Sequence, residues 1–383
     1  MEHLYQKFLK LFNREAEHIF SCGGRFEILG NHTDHNHGLC LAATCSLAIT
    51  ASVGRNNTNT VSVVSEGYKP SIIDLNDLEP HKEESFSSAS LVRGIARYLK
   101  DNGYNIGGFD VFSTSTIFPG AGVSSSAAFE LLIGEIFNAL YNNDSIDKMV
   151  LCKGGQWAEN NYFGKKSGLL DQIGVGYGNI VKIDFEDIKN PQVEEIEFPF
   201  KDLHFVIVNT GGSHAELSDL YSAIPLDMYN TAKKMGHSFL REGSLTELEA
   251  HKNELSEIEY SRSLHFYHEN ERVRQAIKAL NNKDEKGFLD AINASRESST
   301  KYLKNMMVED NYKGSPLEAT DLAMKIMEGK GACKINGGGF AGSIICVVPD
   351  KYLETFMAKM GKKYSLKNVK EVYVREKGPL IEQ

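Results

Sequence analysis

The sequence predicts an α+β protein of two domains. A length of 383 residues exceeds what one hydrophobic core usually serves. Short β-type stretches dominate the first half of the chain, and near residue 200 the pattern turns mostly helical. That change places the division at 1–198 and 199–383. Hydrophobic content of 41% and charged content of 24% are those of an ordinary globular protein. The formal net charge of −9 argues against a duplex nucleic-acid surface. It still allows an anionic nucleotide, whose site needs only a few backbone amides and one or two cations.

Residues 3–15 read as a helix, with Leu4, Phe8, Leu9, Leu11 and Phe12 on one stripe. This N-terminus is charged throughout and has no apolar core, so neither a secretory signal nor a membrane span is expected. Strands are expected at Leu47–Val53, Thr60–Ser65, Ile72–Leu75 and Phe109–Ser115, and helices at Leu91–Leu99, Ser124–Tyr141 and Ile146–Asn161. The nearly all-apolar middle of Ser124–Tyr141 implies a helix packed on both sides. Further strands are expected at Ile180–Phe185, Glu194–Phe198 and Phe205–Asn209. From Leu217 to Glu328 the pattern is helical, with breaks near Pro225, Gly243 and Gly314. A strand at Ile344–Val348, a helix at Leu353–Met360 and a strand at Val369–Val374 close the chain. The six cysteines (Cys22, Cys40, Cys45, Cys152, Cys333, Cys346) form no C-x-x-C pair, which fits a reducing compartment and hence the cytoplasm.

Four stretches concentrate groups suited to chemistry. In PGAGVSSSAAFELL, from Pro119, the run Gly120, Ala121, Gly122, Val123 leads from a strand into a helix beginning near Ser124, Ser125 and Ser126. Free amides of a first helical turn form an anion site, and serine hydroxyls suit phosphate or Mg²⁺. No Gly-Lys-Ser/Thr ends the run, so it is not a Walker loop; a capped helix packed by small residues explains it equally. GRFEILGNHTDHNHG, Gly24–Gly38, crowds Arg25, Asn31, His32, Thr33, Asp34, His35, Asn36 and His37 together. That density suits a polyhydroxylated ligand or a solvated loop, and lacks the helical histidine spacing of zinc. QWAENNYFGKKSGLLDQ carries Glu159 and Asp171, compatible with a metal ligand plus a base or with surface carboxylates. NGGGFAG, from Asn336, places Gly337, Gly338 and Gly339 before a buried strand, either against a ligand or as a flexible turn.

In this order the stretches resemble the galactokinase branch of the galacto-, homoserine-, mevalonate- and phosphomevalonate-kinase superfamily. The family pattern G-R-x-N-L-I-G-E-H-T-D-Y-x-x-G matches Gly24–Gly38, with Asn31 where the family has Glu. G-A-G-L-S-S-S-A matches Gly120–Ala127, and G-G-G-F-G-G matches Gly337–Gly342. Q-x-A-E and G-I-M-D-Q find counterparts in Gln156–Glu159 and Gly168–Gln172, and Glu269–Val273 is also similar. Ser88 falls where many members carry Trp.

The resemblance implies an N-terminal domain like the second domain of ribosomal protein S5, a ferredoxin-like C-terminal domain, and an active site in the cleft between them. It implies ATP and Mg²⁺ as cofactors and phosphorylation of the anomeric hydroxyl of galactose. A kinase for a related sugar (N-acetylgalactosamine or galacturonate) and a non-catalytic sugar- and ATP-binding regulator are the alternatives. Asp171 then faces the sugar hydroxyl, with Arg25 beside it. Residues 120–126 hold the ATP phosphates, and Ser126 and Glu159 hold the metal. Asn31, His32, Thr33, Asp34, Gly168 and Tyr221 surround the sugar. The expected partners are the sugar and ATP, without nucleic acid or membrane, in a monomer or weak oligomer.

Overall fold

The computed structural model describes residues 1–211 and 217–382. The chain runs α1 (Glu2–Phe12), β1 (His18–Leu29), β2 (Leu39–Arg55), β3 (Thr60–Ser65), β4 (Ser71–Asp74), α2 (Ser88–Asp101), β5 (Phe109–Ser115), α3 (Ser125–Asn142), α4 (Lys148–Ala158), α5 (Leu170–Gly176), β6 (Ile180–Asp184) and β7 (Gln192–Ile196). It continues through β8 (Leu203–Asn209), α6 (Ser218–Lys234), α7 (Leu245–Ala250), α8 (Glu257–Asn282), α9 (Glu285–Ser298), α10 (Pro316–Ile326), β9 (Ala332–Asn336), β10 (Ser343–Pro349), α11 (Asp350–Tyr364), β11 (Val369–Val372) and β12 (Leu380–Glu382).

Two sheets organise these elements. The first has the order β12-β1-β2-β5-β3-β4, with β6 and β7 added along the N-terminal half of β2. Among the described residues, only β3 and β5 pair in parallel there. The second, β11-β8-β10-β9, is antiparallel throughout. In it, period-two alternation sends Val206, Val208, Ile344 and Cys346 to a core with α10 and α11. Phe205, Ile207, Ile345 and Val347 face the other way, against Phe26, Ile28 and Leu41 of the first sheet. Phe26 and Phe205 meet with ring centroids 4.7 Å apart, a pairing worth about 1 kcal/mol beyond its buried area. The other face of the first sheet carries α2, α3, α4 and α5, and α3 is buried nearly all round, as its apolar middle implies.

β1 and β2 pair in register from His18↔Val53 to Gly23↔Ala48, then slip at a bulge before Arg25↔Thr44. Because a bulge turns one strand locally, Phe20 and Cys22 enter the helical core whereas Phe26 and Ile28 enter the core between the sheets. β3 and β5 fall where expected. β1 and β9 were not anticipated, and Pro225 lies inside α6 instead of ending a helix. Ile224, Met228 and Ala232 pack in one cluster with Phe266 of α8, and this burial outweighs the proline's local preference. Among the described residues, no helix is long and apolar enough to cross a membrane.

Candidate active site

Between β5 and α3 the chain turns through Pro119–Ser124, with Gly120 at φ +76° and Gly122 at φ +69°. A side chain at Gly122 would place its Cβ 2.4 Å from Ser343 Oγ, so only glycine fits that close approach. Three successive carbonyls of the turn are held by protein groups. Ala121 O accepts from Ser343 Oγ (2.9 Å), Gly122 O from Arg25 Nη1 (2.8 Å) and Asn336 Nδ2 (3.1 Å), and Val123 O from the Arg25 N–H (2.9 Å). In a trans peptide the next residue's N–H points opposite to the carbonyl. The N–H groups of Gly122, Val123 and Ser124 therefore face away from these anchors, directly before the first turn of α3. Three successive donors ahead of a helix N-terminus suit a phosphate chain.

Arg25, presented by the bulge in β1, joins this turn to α5. Its Nε and Nη2 donate to Asp171 Oδ1 at 2.9 and 2.6 Å while Nη1 holds Gly122 O. Burial raises the pKa of Asp171, but Arg25, a hydrogen bond from Ser124 and the charge of Lys165 outweigh it and hold the carboxyl below its ordinary value. Asp171 is thus an ionised acceptor.

At the end of α4 the helix widens into a π-helical turn, Glu159–Phe163. Glu159 is fully buried. Its Oε1 accepts from Ser126 Oγ (2.9 Å) and Lys165 Nζ (2.9 Å), and its Oε2 from Ser167 Oγ (2.5 Å) and Gln172 Nε2 (3.2 Å). A buried carboxylate beside a serine hydroxyl at the head of α3 is an oxygen donor pair of the kind Mg²⁺ takes.

The polar strip after β1 closes the opposite side. Asp34 reaches Gly168, where a Cβ would lie 3.3 Å from Asp34 Oδ2, so the strip abuts the loop that carries Asp171. His32, at φ +58°, donates from Nε2 to Gly338 O at 2.8 Å, and its Nδ1 is buried without a hydrogen-bond partner. Burial, then His35, pushes His32 down to about 3, so the ring is neutral. The glycine loop at 337–339 lies against α6. Tyr221 Oη donates to Gly339 O at 2.5 Å, and a Cβ on Gly338 would meet the Tyr221 ring at 2.5 Å.

Residues 6–55 match the galactokinase galactose-binding signature, and residues 90–179 match the N-terminal domain of GHMP kinases. The galactokinase of Lactococcus lactis subsp. cremoris is 30% identical over 374 residues, covering 94% of this chain and 90% of that protein. This chain belongs to the galactokinase family. The galactokinase of Limosilactobacillus fermentum is 28% identical over 376 residues, covering 95% of this chain and 94% of the relative. The crystal structure of Lactococcus lactis galactokinase complexed with galactose aligns at a TM-score of 0.83 and 26% identity, covering 100% of this chain and 99% of that one. Methanococcus jannaschii mevalonate kinase shares the fold at a TM-score of 0.66 and 15% identity, over 94% of this chain and 98% of that one.

In this galactokinase-family chain, the four stretches singled out in the sequence converge on one region, with Arg25 as their hub. Two of the expected sugar residues also tie down the fold. Thr33 Oγ1 lies within hydrogen-bond reach of Gly30 O and Leu39 O, and Asn31 is 1% exposed with its amide engaged by protein groups. Sequence reasoning missed Lys165 and Ser167, both on Glu159. Their signal was the KKS run between the two carboxylates. It also missed the buried Glu27–Lys334 pair, at 2.8 Å, which no local pattern announces because the partners lie on β1 and β9.

Proposed function

We propose that this protein is an ATP-dependent galactokinase, transferring the γ-phosphoryl group of ATP to the anomeric hydroxyl of galactose. The observation that carries the reading is the single guanidinium of Arg25 clamping the 120–126 turn to Asp171. It sets a phosphate cradle beside an ionised carboxylate. The family relationship and the match of residues 6–55 to a galactose-binding signature support the choice of sugar.

Residues 120–126 bind the phosphates through the outward amides and the head of α3. Ser126 and Glu159 fit a Mg²⁺ ion, with Lys165 giving up its share of Glu159 Oε1. When bound, that ion neutralises phosphate charge. His32, Asp34, Gly168 and Tyr221 line the sugar end, with Asn31 and Thr33 in the same strip. Asp171 Oδ2, which Arg25 leaves unused, orients the anomeric O–H. As the hydroxyl oxygen bonds to phosphorus and the bond from phosphorus to the ADP oxygen breaks, the hydroxyl proton passes to Asp171. Because Arg25 keeps that carboxyl acidic, the transfer comes late, and orientation supplies much of the rate.

The same reading takes 1–198 and 199–383 as the domains, a monomer or weak oligomer as the working form, and the cytoplasm as the location. The six cysteines, all buried and unpaired, are consistent with that location. A panel of sugars followed by ADP release tests the function. Galactose is expected to turn over well ahead of glucose, and Asp171→Asn to lose about 10²–10⁴ in kcat. Equal turnover of glucose refutes the sugar; saturable binding without product refutes the kinase.

A further inference from the structure

Asn31, Glu27 and Lys334 form a buried cluster that the proposed reaction does not use. Glu27 is 4% exposed and Lys334 0%. Glu27 Oε1 accepts from Lys334 Nζ at 2.8 Å and from Asn31 Nδ2 at 3.0 Å. Asn31 Nδ2 also donates to Gly337 O at 2.7 Å, and Asn31 Oδ1 accepts from Asn305 Nδ2 at 2.8 Å. Asn305 Nδ2 in turn reaches Gly338 O at 3.1 Å, the same carbonyl that His32 contacts.

Donor and acceptor accounting separates an amide from a carboxylate here. Both donors of the Asn31 amide face acceptors, Glu27 Oε1 and Gly337 O. A carboxylate at 31 in this pose would set oxygen against a carbonyl and against a second carboxylate, which low-dielectric burial makes costly. The family pattern quoted above carries Asn at the position of Glu27 and Glu at the position of Asn31. This chain carries the reverse, four residues apart. One carboxylate and one amide are retained, and the carboxylate has moved to the position where buried Lys334 neutralises it.

We propose that Glu27 and Asn31 are a reciprocally exchanged, coupled pair: Asn31 is a positioning residue that fastens the Gly337–Gly338 turn against His32, and it does not read the sugar. The residue that holds the family's Glu therefore offers galactose no carboxylate. Exchanging the pair back frees a carboxylate from Gly337 O and turns it toward the cleft beside His32, which changes sugar selectivity. The selectivity arm rests on the galactokinase reading; the pairing arm does not.

The experiment compares Glu27→Asn, Asn31→Glu and the double variant Glu27→Asn/Asn31→Glu with wild type, by thermal melting and by ADP-release kinetics on galactose and its monodeoxy analogues. Each single variant is expected to melt about 5 °C or more below wild type, and the double to recover at least about half of the summed loss. In the double variant, KM for galactose or a deoxy analogue should shift about fivefold more than KM for ATP. Additive losses overturn the proposal, and so does a recovered double variant with an unchanged sugar profile. If Asn31→Glu does not fold, a double variant melting below Glu27→Asn overturns it as well. Wild type without turnover on galactose refutes the function reading while leaving melting to decide the pairing.

Discussion

Replacing Arg25 tests the centre of the site, because one side chain there makes three hydrogen bonds to two elements. Arg25→Met keeps the length and apolar stem but removes both bonds to Asp171 Oδ1 and the bond to Gly122 O. Gly122 O still has Asn336 Nδ2 at 3.1 Å, so the turn is loosened without being orphaned. Asp171 fares worse: it stays largely buried, with only Ser124 and the charge of Lys165 to support its ionised form. Breaking a buried pair from one side costs about 3–5 kcal/mol, and losing a group aimed at developing charge costs about 10²–10³ in kcat. Asp171 must be ionised to act, and Arg25 depresses its pKa. In wild type, activity is therefore lost only as pH falls through a value below the ordinary aspartate one. In Arg25→Met the burial that opposes ionisation prevails, so the acid limb of kcat/KM moves toward neutrality. The stability contributed by the pair follows the same sign: present above the unfolded aspartate pKa, lost as pH falls through the folded one. Arg25→Lys retains a cation but not the fork, and should fall between wild type and Met. The assay is ADP release between roughly pH 3 and roughly pH 9, a range that brackets an ordinary carboxyl limb of roughly 4, with melting recorded on the same samples. Arg25→Met activity within about tenfold of wild type at neutral pH, or an acid limb that does not move, refutes the role given to this residue.

Gly122→Ala forces a left-handed residue and drives Cβ onto Ser343 Oγ; it should raise KM for ATP about tenfold or more with little change in sugar affinity, read by steady-state kinetics. Glu159→Gln weakens an oxygen pair suited to Mg²⁺, so the midpoint of Mg²⁺-dependent nucleotide binding, followed by calorimetry, should rise about tenfold. Tyr221→Phe deletes the bond to Gly339 O and should cost about 1 kcal/mol of stability, with a rise in KM for sugar and not for ATP. His32 and His265 are pushed by burial to about 3 and about 4. Between those values and the ordinary histidine pKa the unfolded chain binds more protons. Stability should therefore fall by about 2 kcal/mol per histidine from pH 7 to pH 5, read as a drop in melting temperature; a flat profile would contradict their buried, neutral state.

The strands at Thr60–Ser65 and Phe109–Ser115 were legible because alternation and flanking polar residues agree there, with nothing competing. β1 was not, although it carries both Arg25 and the docking face. Its stretch HIFSCGGRFEIL mixes two glycines, a buried arginine and a buried glutamate, and its alternation changes face at the bulge. Periodicity read along one face therefore fails where the strand serves two. β9, ACKIN, failed for a related reason: Lys334 reads as solvent-facing, yet its charge is answered by Glu27 more than three hundred positions away. Local pattern located Gly120–Gly122 and Gly337–Gly339 as turns. Only the three-dimensional arrangement showed that Asn336 and Ser343, on either side of the second turn, donate to carbonyls of the first together with Arg25.

The two-faced character of β1 has a mechanical consequence. Phe26 and Ile28 pack against Phe205 and Ile207 of the second sheet, while Arg25 reaches Asp171 on the helical side and hydrogen-bonds the phosphate turn. The glycine turn after β9 is fastened to the segment following β1 by Asn31 and His32, and the turn before α3 is fastened to β9 and β10 by Asn336 and Ser343. Displacing one sheet relative to the other would therefore move the phosphate cradle and the sugar strip together with the strand that orients Asp171. Substituting Phe26, which touches no reacting group, should then impair catalysis as well as stability. Phe26→Ala is expected to cost about 3–5 kcal/mol of stability. It should also lower kcat by about tenfold or more at temperatures where the protein remains folded, since a misplacement of about 1 Å in a phosphoryl-transfer site is enough for such a loss. A folded Phe26→Ala variant with wild-type kcat would show that the site holds its geometry independently of how the two sheets dock.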